Sequence, residues 1–450
     1  MCMLDKIHAR RDEIHAIARK HKAERLCVFG SVLKKTSRIW GRRFRGRCRE
    51  LRADSMKNLF YAVCAAMAAC SAAAMTRPKA PNDVVDGVEM YSIADEAVRQ
   101  TVIAEGTASV YQGHPTMCRT ADGKRLLAVW TLGHGGHDEP LAESADGGRT
   151  WTRVDGRLPA SFRTHHNCPS LYRMTDAAGK DRIWIFSARK ETSGKPREWM
   201  PRVVSEDDGL TWREEAPLGP AFWNVMTFSS VVALKEPGHY LGVYHRGPEP
   251  MRDVKPLAVW ASETRDGGFT WSDPRQICAL EGLSPCEPWV FRSPKGDELC
   301  CVLRENVKSC PAYFITSRDE GRTWTAPKPL PWILGMHRHQ GVQLKDGRLC
   351  VLGRSLGRRS ATSNWRENVA YKKFGAWIGT YEQLKGEAPL AGSKAIALLP
   401  NYHDCDTGYP GVVLMDDGSV VCCTYGWYFP DREAHKCSVV ATRFHPDEFR

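Results

Sequence analysis

Apolar and polar positions along this chain fall into paired runs joined by glycine turns, and the pairs repeat. In Cys286 to Asn306, a polar start (Cys286, Glu287, Pro288) leads into Trp289-Val290-Phe291. A Lys295-Gly296-Asp297 turn follows, then the apolar run Leu299 to Leu303, which ends on Arg304. Gly beside Asp supplies the positive φ that tight hairpin turns need, so the stretch reads as a β-hairpin. Five others match it: Thr116–Trp130 turning at Gly123, Pro169–Arg189 near Gly179, Ser229–Arg246 near Gly238, Gln340–Arg354 at Gly347, and Pro410–Tyr425 at Gly418. Six hairpins at a period of roughly 50 to 60 residues predict an all-β chain, a six-bladed β-propeller in which small sheets close into a ring around a channel. The predicted propeller spans residues 98–447, behind a linker over 75–97.

Four hairpins start with a residue followed by proline: His114-Pro115, Cys168-Pro169, Glu287-Pro288 and Tyr409-Pro410. Proline is tolerated at a strand's first residue, where its missing N–H leaves no ladder bond unmade. First strands line the channel, so His114, Asn167, Glu287 and Tyr409 are expected at one mouth, with the strand-end arginines close by.

Composition changes the picture at the N-terminus. The chain has 450 residues, 42% hydrophobic and 26% charged, with a formal net charge of +12. Residues 1–55 hold 16 Lys/Arg against 6 Asp/Glu, whereas residues 75–450 hold 47 against 46. The basic character belongs to the N-terminal segment, and nucleic acid is not an expected partner of the main body. Met56 to Ala74 has the layout of a secretory signal peptide: Lys57, an apolar stretch from Leu59 to Ala69, and the small residues Ala72-Ala73-Ala74. A secreted or periplasmic protein is expected, with Met56 as its start and residues 1–55 absent from the mature chain. Lipid anchoring at Cys70 is a minor alternative, and stable membrane insertion is not expected. Ala16 to Val32 resembles the opening of small bacterial nucleotidyltransferases, but the carboxylate pair that should follow Gly30-Ser31 is absent. Of 17 cysteines, Cys300-Cys301 and Cys422-Cys423 lie inside apolar runs, as small buried hydrophobes do. No Cys-x-x-Cys pair is present, and neither a metal nor a cofactor is expected.

A second repeat lies outside the hairpins. Ser144–Trp151, Ser205–Trp212, Thr264–Trp271 and Ser317–Trp324 each read Ser/Thr-x-Asp-x-Gly-x-Thr-Trp. The carboxylate suits turn N–H groups, the glycine a left-handed position, and the indole the packing of a new strand. The spacing lacks the ligand series of a calcium loop, which favours a structural role. These segments resemble the aspartate boxes of the sialidase superfamily, and the stretch from about Val98 to Phe444 resembles an exo-sialidase.

That resemblance implies roles for individual residues. Tyr409, opening the last inner strand, matches the tyrosine nucleophile; Glu287 matches its glutamate partner, and Arg304 an anion-binding arginine. Asp138, beside Glu139, matches the acid/base aspartate. Arg338 and Arg354 are further anion contacts, and Arg189, Arg246, His165, His166 and Asn167 are candidate substrate contacts. A neutral phenol suits an anionic sugar, which would repel a carboxylate nucleophile, and sialidases are the tyrosine exception among retaining glycosidases. One departure stands out: Gly113-His114-Pro115 occupies the place of the family's Arg-Ile-Pro motif, so the motif arginine is absent, and His114 could contribute a donor without replacing a fixed guanidinium fork.

The resulting expectation is a secreted exo-glycosidase, working as a monomer, that releases a terminal acidic sugar from a glycan. The alternatives are a uronate-cleaving propeller, in which His165, His166 or His114 works with Tyr409, and a glycan-binding propeller without turnover.

Overall fold

The structure is a computed structural model. It describes residues 79–450 apart from 137, 165, 189–199, 223–225, 248–255, 307–309, 355–373, 404–405 and 450, and gives only the backbone of 164, 166 and 167. The expected basic segment 1–55 and signal peptide 56–74 lie outside the described residues, as do His165 and Arg189; the side chains of His166 and Asn167 are likewise outside them.

Three strands precede the first hairpin: β1 (Asp83–Val85), β2 (Val88–Ser92) and β3 (Gln100–Ala104). The first sheet is β4 (Gln112–Arg119), β5 (Leu126–Leu132), β6 (Leu141–Ser144) and β7 (Thr152–Arg153). The second is β8 (His166–Thr175), β9 (Asp181–Ala188), β10 (Arg202–Ser205) and β11 (Arg213–Glu215). The third is β12 (Ser230–Ala233), β13 (Tyr240–Arg246), β14 (Ala258–Thr264) and β15 (Arg275–Cys278). The fourth is β16 (Pro285–Arg292), β17 (Leu299–Glu305), β18 (Tyr313–Ser317) and β19 (Lys328–Pro329). The fifth contains β20 (His337–Gln343), β21 (Leu349–Arg354), β22 (Phe374–Gly379) and β23 (Lys394–Leu399). The sixth is β24 (Gly408–Leu414), β25 (Val420–Gly426) and β26 (Ser438–Phe444), completed by β3.

All six expected hairpins form, and Gly123, Gly179, Gly238, Gly296, Gly347 and Gly418 all have positive φ at their turns. The apolar core is divided among the junctions between sheets. Leu127 and Val129 pack with Leu171, Ile183 and Ile185 across the first junction. Cys422 and Val440 pack with Cys350, Leu352 and Ile378 across another. Val421 and Cys423 of the sixth sheet meet Leu126 and Ala128 of the first, which joins the ends of the series. The ring closes by strand exchange as well, since β3, from the N-terminal side, pairs antiparallel with β26 (Val439↔Ala104, Val440↔Val102). Arg99 locks this junction by gripping Glu448 through two hydrogen bonds, at 2.9 and 2.5 Å, with both side chains buried. The fold is therefore a six-bladed β-propeller.

The linker expected over 75–97 needs correction. Residues 83–92 form the β1–β2 hairpin, turned at Asp86-Gly87, and β2 adds in parallel to β23 (Glu89↔Lys394 to Ser92↔Ala397). This short segment covers the outer edge of the fifth blade, where it buries Val88 and Met90. At the other end the fold runs on to Phe449, which is fully buried.

The four aspartate boxes connect the third and fourth strands of blades one to four. In the first, Asp146 accepts from the Arg149 and Thr150 N–H groups (2.9 Å each), the Thr150 hydroxyl (2.6 Å) and Ser144 Oγ (2.8 Å). The boxes at Asp207, Asp266 and Asp319 repeat this pattern. The glycine two residues after each box aspartate (Gly148, Gly209, Gly268 and Gly321) lies against the preceding blade. A Cβ on Gly268 would stand 2.7 Å from Trp184 Nε1, and one on Gly209 2.5 Å from Leu127 Cδ1. Blade six has no such turn, because its outer strand comes from the N-terminal side. In blade five a one-turn helix, α1 (Tyr381–Leu384), capped by Thr380 and Gln383, follows β22 instead.

Candidate active site

The site is built on irregularities in the inner strands. Pairing slips at Gly113/Thr116 in β4, His166/Ser170 in β8, Cys286/Trp289 in β16, His337/Gln340 in β20 and Gly408/Gly411 in β24. In four of the five strands the residue before proline takes a left-handed conformation: His114 (φ 53°), Cys168 (53°), Glu287 (45°) and Tyr409 (51°). Residues before proline are normally extended, and left-handed non-glycine residues cost about 1–3 kcal/mol each. A bulge breaks the in–out alternation of a strand and re-aims a side chain. In the second blade that position belongs to Cys168, not Asn167 as the sequence suggested.

Tyr409 and Glu287, 122 positions apart, are in contact: the phenol donates a short hydrogen bond to Glu287 Oε1. Glu287 Oε2 accepts from Arg304 Nη1 at 2.6 Å, and the Glu287 N–H donates to His245 Nδ1 at 3.1 Å. The Arg338 guanidinium lies 4.8 Å from the centre of the Tyr409 ring and donates to the Ser229 carbonyl at 3.1 Å. Arg338 is buried and has no carboxylate partner among the described residues; its Nε makes no hydrogen bond. The centre thus holds two buried guanidinium groups for one carboxylate, an excess of positive charge that suits an anion.

Protonation follows from these neighbours. Burial would raise the Glu287 carboxyl, but Arg304, Arg338 and His245 outweigh it and hold the group well below the carboxylate range. Burial, then Glu287 and Cys168, push the Tyr409 phenol well above its ordinary value. The resting pair is therefore a carboxylate and a neutral phenol.

The remaining candidates divide. Arg354 packs along Gly408, which precedes Tyr409, and donates to the Thr407 carbonyl at 3.0 Å. Arg246 stacks 3.5 Å from the centre of the Trp260 ring and donates to the Ala221 carbonyl, away from Tyr409 and Glu287. His114 is buried, with its ring centre 4.4 Å from that of Tyr409 and its Nδ1 accepting from the Gly135 N–H at 3.3 Å. Burial and then His134 lower it to about 3, so it is neutral at ordinary pH and supplies no guanidinium-like charge. The Asp138 carboxylate makes no hydrogen bond or ion pair with a described residue, and none of its contacts joins it to Tyr409 or Glu287. Glu139 is buried, accepts from Ser187 Oγ at 2.5 Å, and is raised well above the carboxylate range, chiefly by burial.

Sequence reasoning missed Cys168, which its own Cys-Pro dipeptide marked, and His245, which follows no motif. It also missed Tyr111, His134 and Asp406. Tyr111 donates to Asp406 Oδ1 at 2.8 Å and lies 3.1 Å from His134 Nδ1. Distant stretches contribute these residues, and only their proximity to the His-Pro and Tyr-Pro dipeptides could have pointed to Tyr111 and Asp406.

Comparison with known proteins agrees with this architecture. Residues 158–422 match the family described as a BNR repeat-like domain. No curated protein matches the chain. Among solved structures, a Dyadobacter fermentans protein of unknown function is 17% identical with a TM-score of 0.56, covering 77% of this chain and 98% of its own. The Streptococcus pneumoniae NanB sialidase is 13% identical (TM-score 0.51; 78% of this chain, 71% of its own). A Penicillium chrysogenum alpha-L-arabinanase complexed with arabinobiose is 16% identical (TM-score 0.50; 76% and 97%). At these identities the likeness is one of fold. With its family match covering more than half of its length, the chain belongs to the BNR repeat-like domain family, with the fold of a six-bladed β-propeller.

Proposed function

We propose that the protein is a retaining exo-glycosidase that releases a terminal acidic sugar from a glycan, with Tyr409 as nucleophile. The observation that carries this reading is the buried Tyr409–Glu287–Arg304 chain with Arg338 over the phenol ring. The substrate's anion sits against Arg338, with Arg354 at the side. A neutral phenol does not repel it. As the bond from the anomeric carbon to the aglycone oxygen breaks, with its electrons going to that oxygen, Tyr409 Oη attacks the carbon, and the phenol proton passes to Glu287. Arg338 stabilises the negative charge that builds on the phenol. Water then attacks the glycosyl–tyrosine intermediate, and the phenolate recovers its proton from Glu287.

The test is release of free sugar from sialyl and uronyl model glycosides by wild type and Tyr409→Phe. Loss of turnover with little change in unfolding temperature is expected. Near-normal activity in the variant removes the tyrosine mechanism. Binding without product in the wild type favours a glycan-binding propeller. The motif arginine is absent and the neutral His114 supplies no guanidinium, which favours a smaller anion clamp than a sialidase carries and makes the uronyl substrates a necessary arm of the test.

A further inference from the structure

One cluster at the propeller's mouth has no part in the chemistry above. His134, in the Gly-rich loop after β5, places Nδ1 3.1 Å from Tyr111 Oη and 3.5 Å from Asp406 Oδ1. Tyr111 has a single hydroxyl proton, and it goes to Asp406 at 2.8 Å. Its oxygen therefore accepts from His134, which puts the imidazole proton on Nδ1 and leaves the Nε2 lone pair open. Nε2 makes no hydrogen bond with a described residue, and the side chain is 65% exposed. The His134 ring centre is 4.7 Å from that of His114, which is 4.4 Å from that of Tyr409. One imidazole thus separates His134 from the proposed nucleophile.

The groups facing this cluster are Tyr111, His114, Tyr425 and Cys437, whose Sγ lies 3.6 Å from Asp406 Oδ2. Asp406 has no Lys or Arg partner among the described residues, so His134 is its one potential counter-cation there. Burial opposes ionisation of Asp406, but His134 and Tyr111 hold it down to about 2. A carboxylate that orients one imidazole nitrogen and leaves the other open is the arrangement of a proton-transfer histidine. Nothing comparable orients Asp138.

We infer that His134, held by Asp406 through Tyr111, is the acid/base of this site, in place of Asp138; the inference rests on the retaining glycosidase reading. In the first step Nε2–H gives its proton to the glycosidic oxygen. The C–O bond breaks with its electrons going to that oxygen, as Tyr409 Oη bonds the anomeric carbon. In the second step neutral Nε2 takes a proton from the attacking water, and the bond to Tyr409 breaks.

The experiment compares wild type, His134→Gln, Asp138→Asn, Asp406→Asn and Tyr409→Phe on 4-methylumbelliferyl and methyl glycosides of N-acetylneuraminic acid and glucuronic acid. His134→Gln should lose about 100- to 10,000-fold in kcat/KM on the methyl glycoside, whose leaving group needs a proton, and under tenfold on the aryl one. Asp406→Asn should show the same leaving-group dependence in weaker form, because His134 loses the carboxylate that orients it through Tyr111. NMR of ¹⁵N-labelled wild type should show neutral His134 as the Nδ1–H tautomer. An Nε2–H tautomer, or the leaving-group pattern in Asp138→Asn instead of His134→Gln, overturns the inference. An inert wild type overturns the glycosidase reading itself, and an active Tyr409→Phe its tyrosine nucleophile, which separates those failures from this one.

Discussion

Glu287→Gln removes one charge from the centre of the ring and keeps the side chain's shape. Glu287 is 3% exposed and Arg304 9%, with Nη1 and Oε2 2.6 Å apart, so the pair is desolvated. Breaking a buried ion pair by neutralising one partner costs about 3–5 kcal/mol, because the other charge is left uncompensated. Here two guanidinium groups are stranded, while the amide can still accept from Arg304. The lower figure, about 3 kcal/mol, is therefore expected, equal to a fall of roughly 6 °C in unfolding temperature for a large domain. The pH dependence has a definite sign. The folded-state carboxyl is depressed below its ordinary value of 4.5, so its stabilisation is complete above that value and is lost as pH falls through the folded-state value. The gap between wild type and Glu287→Gln in urea unfolding should be constant from about pH 6 to 8 and shrink below about pH 4.5. Glu287→Gln combined with Arg304→Met should cost less than the two singles together, by about 1–3 kcal/mol. A single variant within about 0.5 kcal/mol of wild type at pH 7, or a gap unchanged into acid, would refute the reasoning.

Other consequences concern packing and closure. Gly268→Ala must hold φ +109° with its new Cβ 2.7 Å from Trp184, whereas Gly296→Ala at φ +76° meets nothing within 4 Å. Chemical denaturation should show the first losing about 1–3 kcal/mol more than the second, the cost of overpacking; equal losses would mean the boxes do not bear on the preceding blade. Arg99→Met strands the buried Glu448 and loosens the β3–β26 junction, so about 3–5 kcal/mol should be lost, together with faster amide exchange in β26. Arg338→Met should raise KM for an acidic glycoside by about 10- to 100-fold, the worth of a charge-assisted hydrogen bond, and an unchanged KM would place the anion elsewhere.

Local pattern was enough to read the hairpins, the boxes and four of the inner-strand starts, because each depends on residues within about twenty positions. Turn glycines need only their own φ, and box carboxylates bond groups three or four residues away. The same locality led to the linker error: β1 and β2 are too short to announce themselves, and β23, on which β2 pairs, lies 305 positions further on (Glu89↔Lys394). It also explains why blades five and six carry no box, since one uses a helical connection and the other borrows its outer strand.

What the chain alone determined is the repeat, and with it the ring; Tyr409, Glu287 and Arg304 were legible because dipeptide and hairpin position mark them. Only the closed ring decided which side chains meet. It gave Cys168 the left-handed position of the second bulge, turned Arg246 onto Trp260, made His114 a neutral buried ring, and assembled Tyr111, His134 and Asp406. Those outcomes rest on desolvation and on contacts between residues up to 295 positions apart, which no local stretch of sequence encodes.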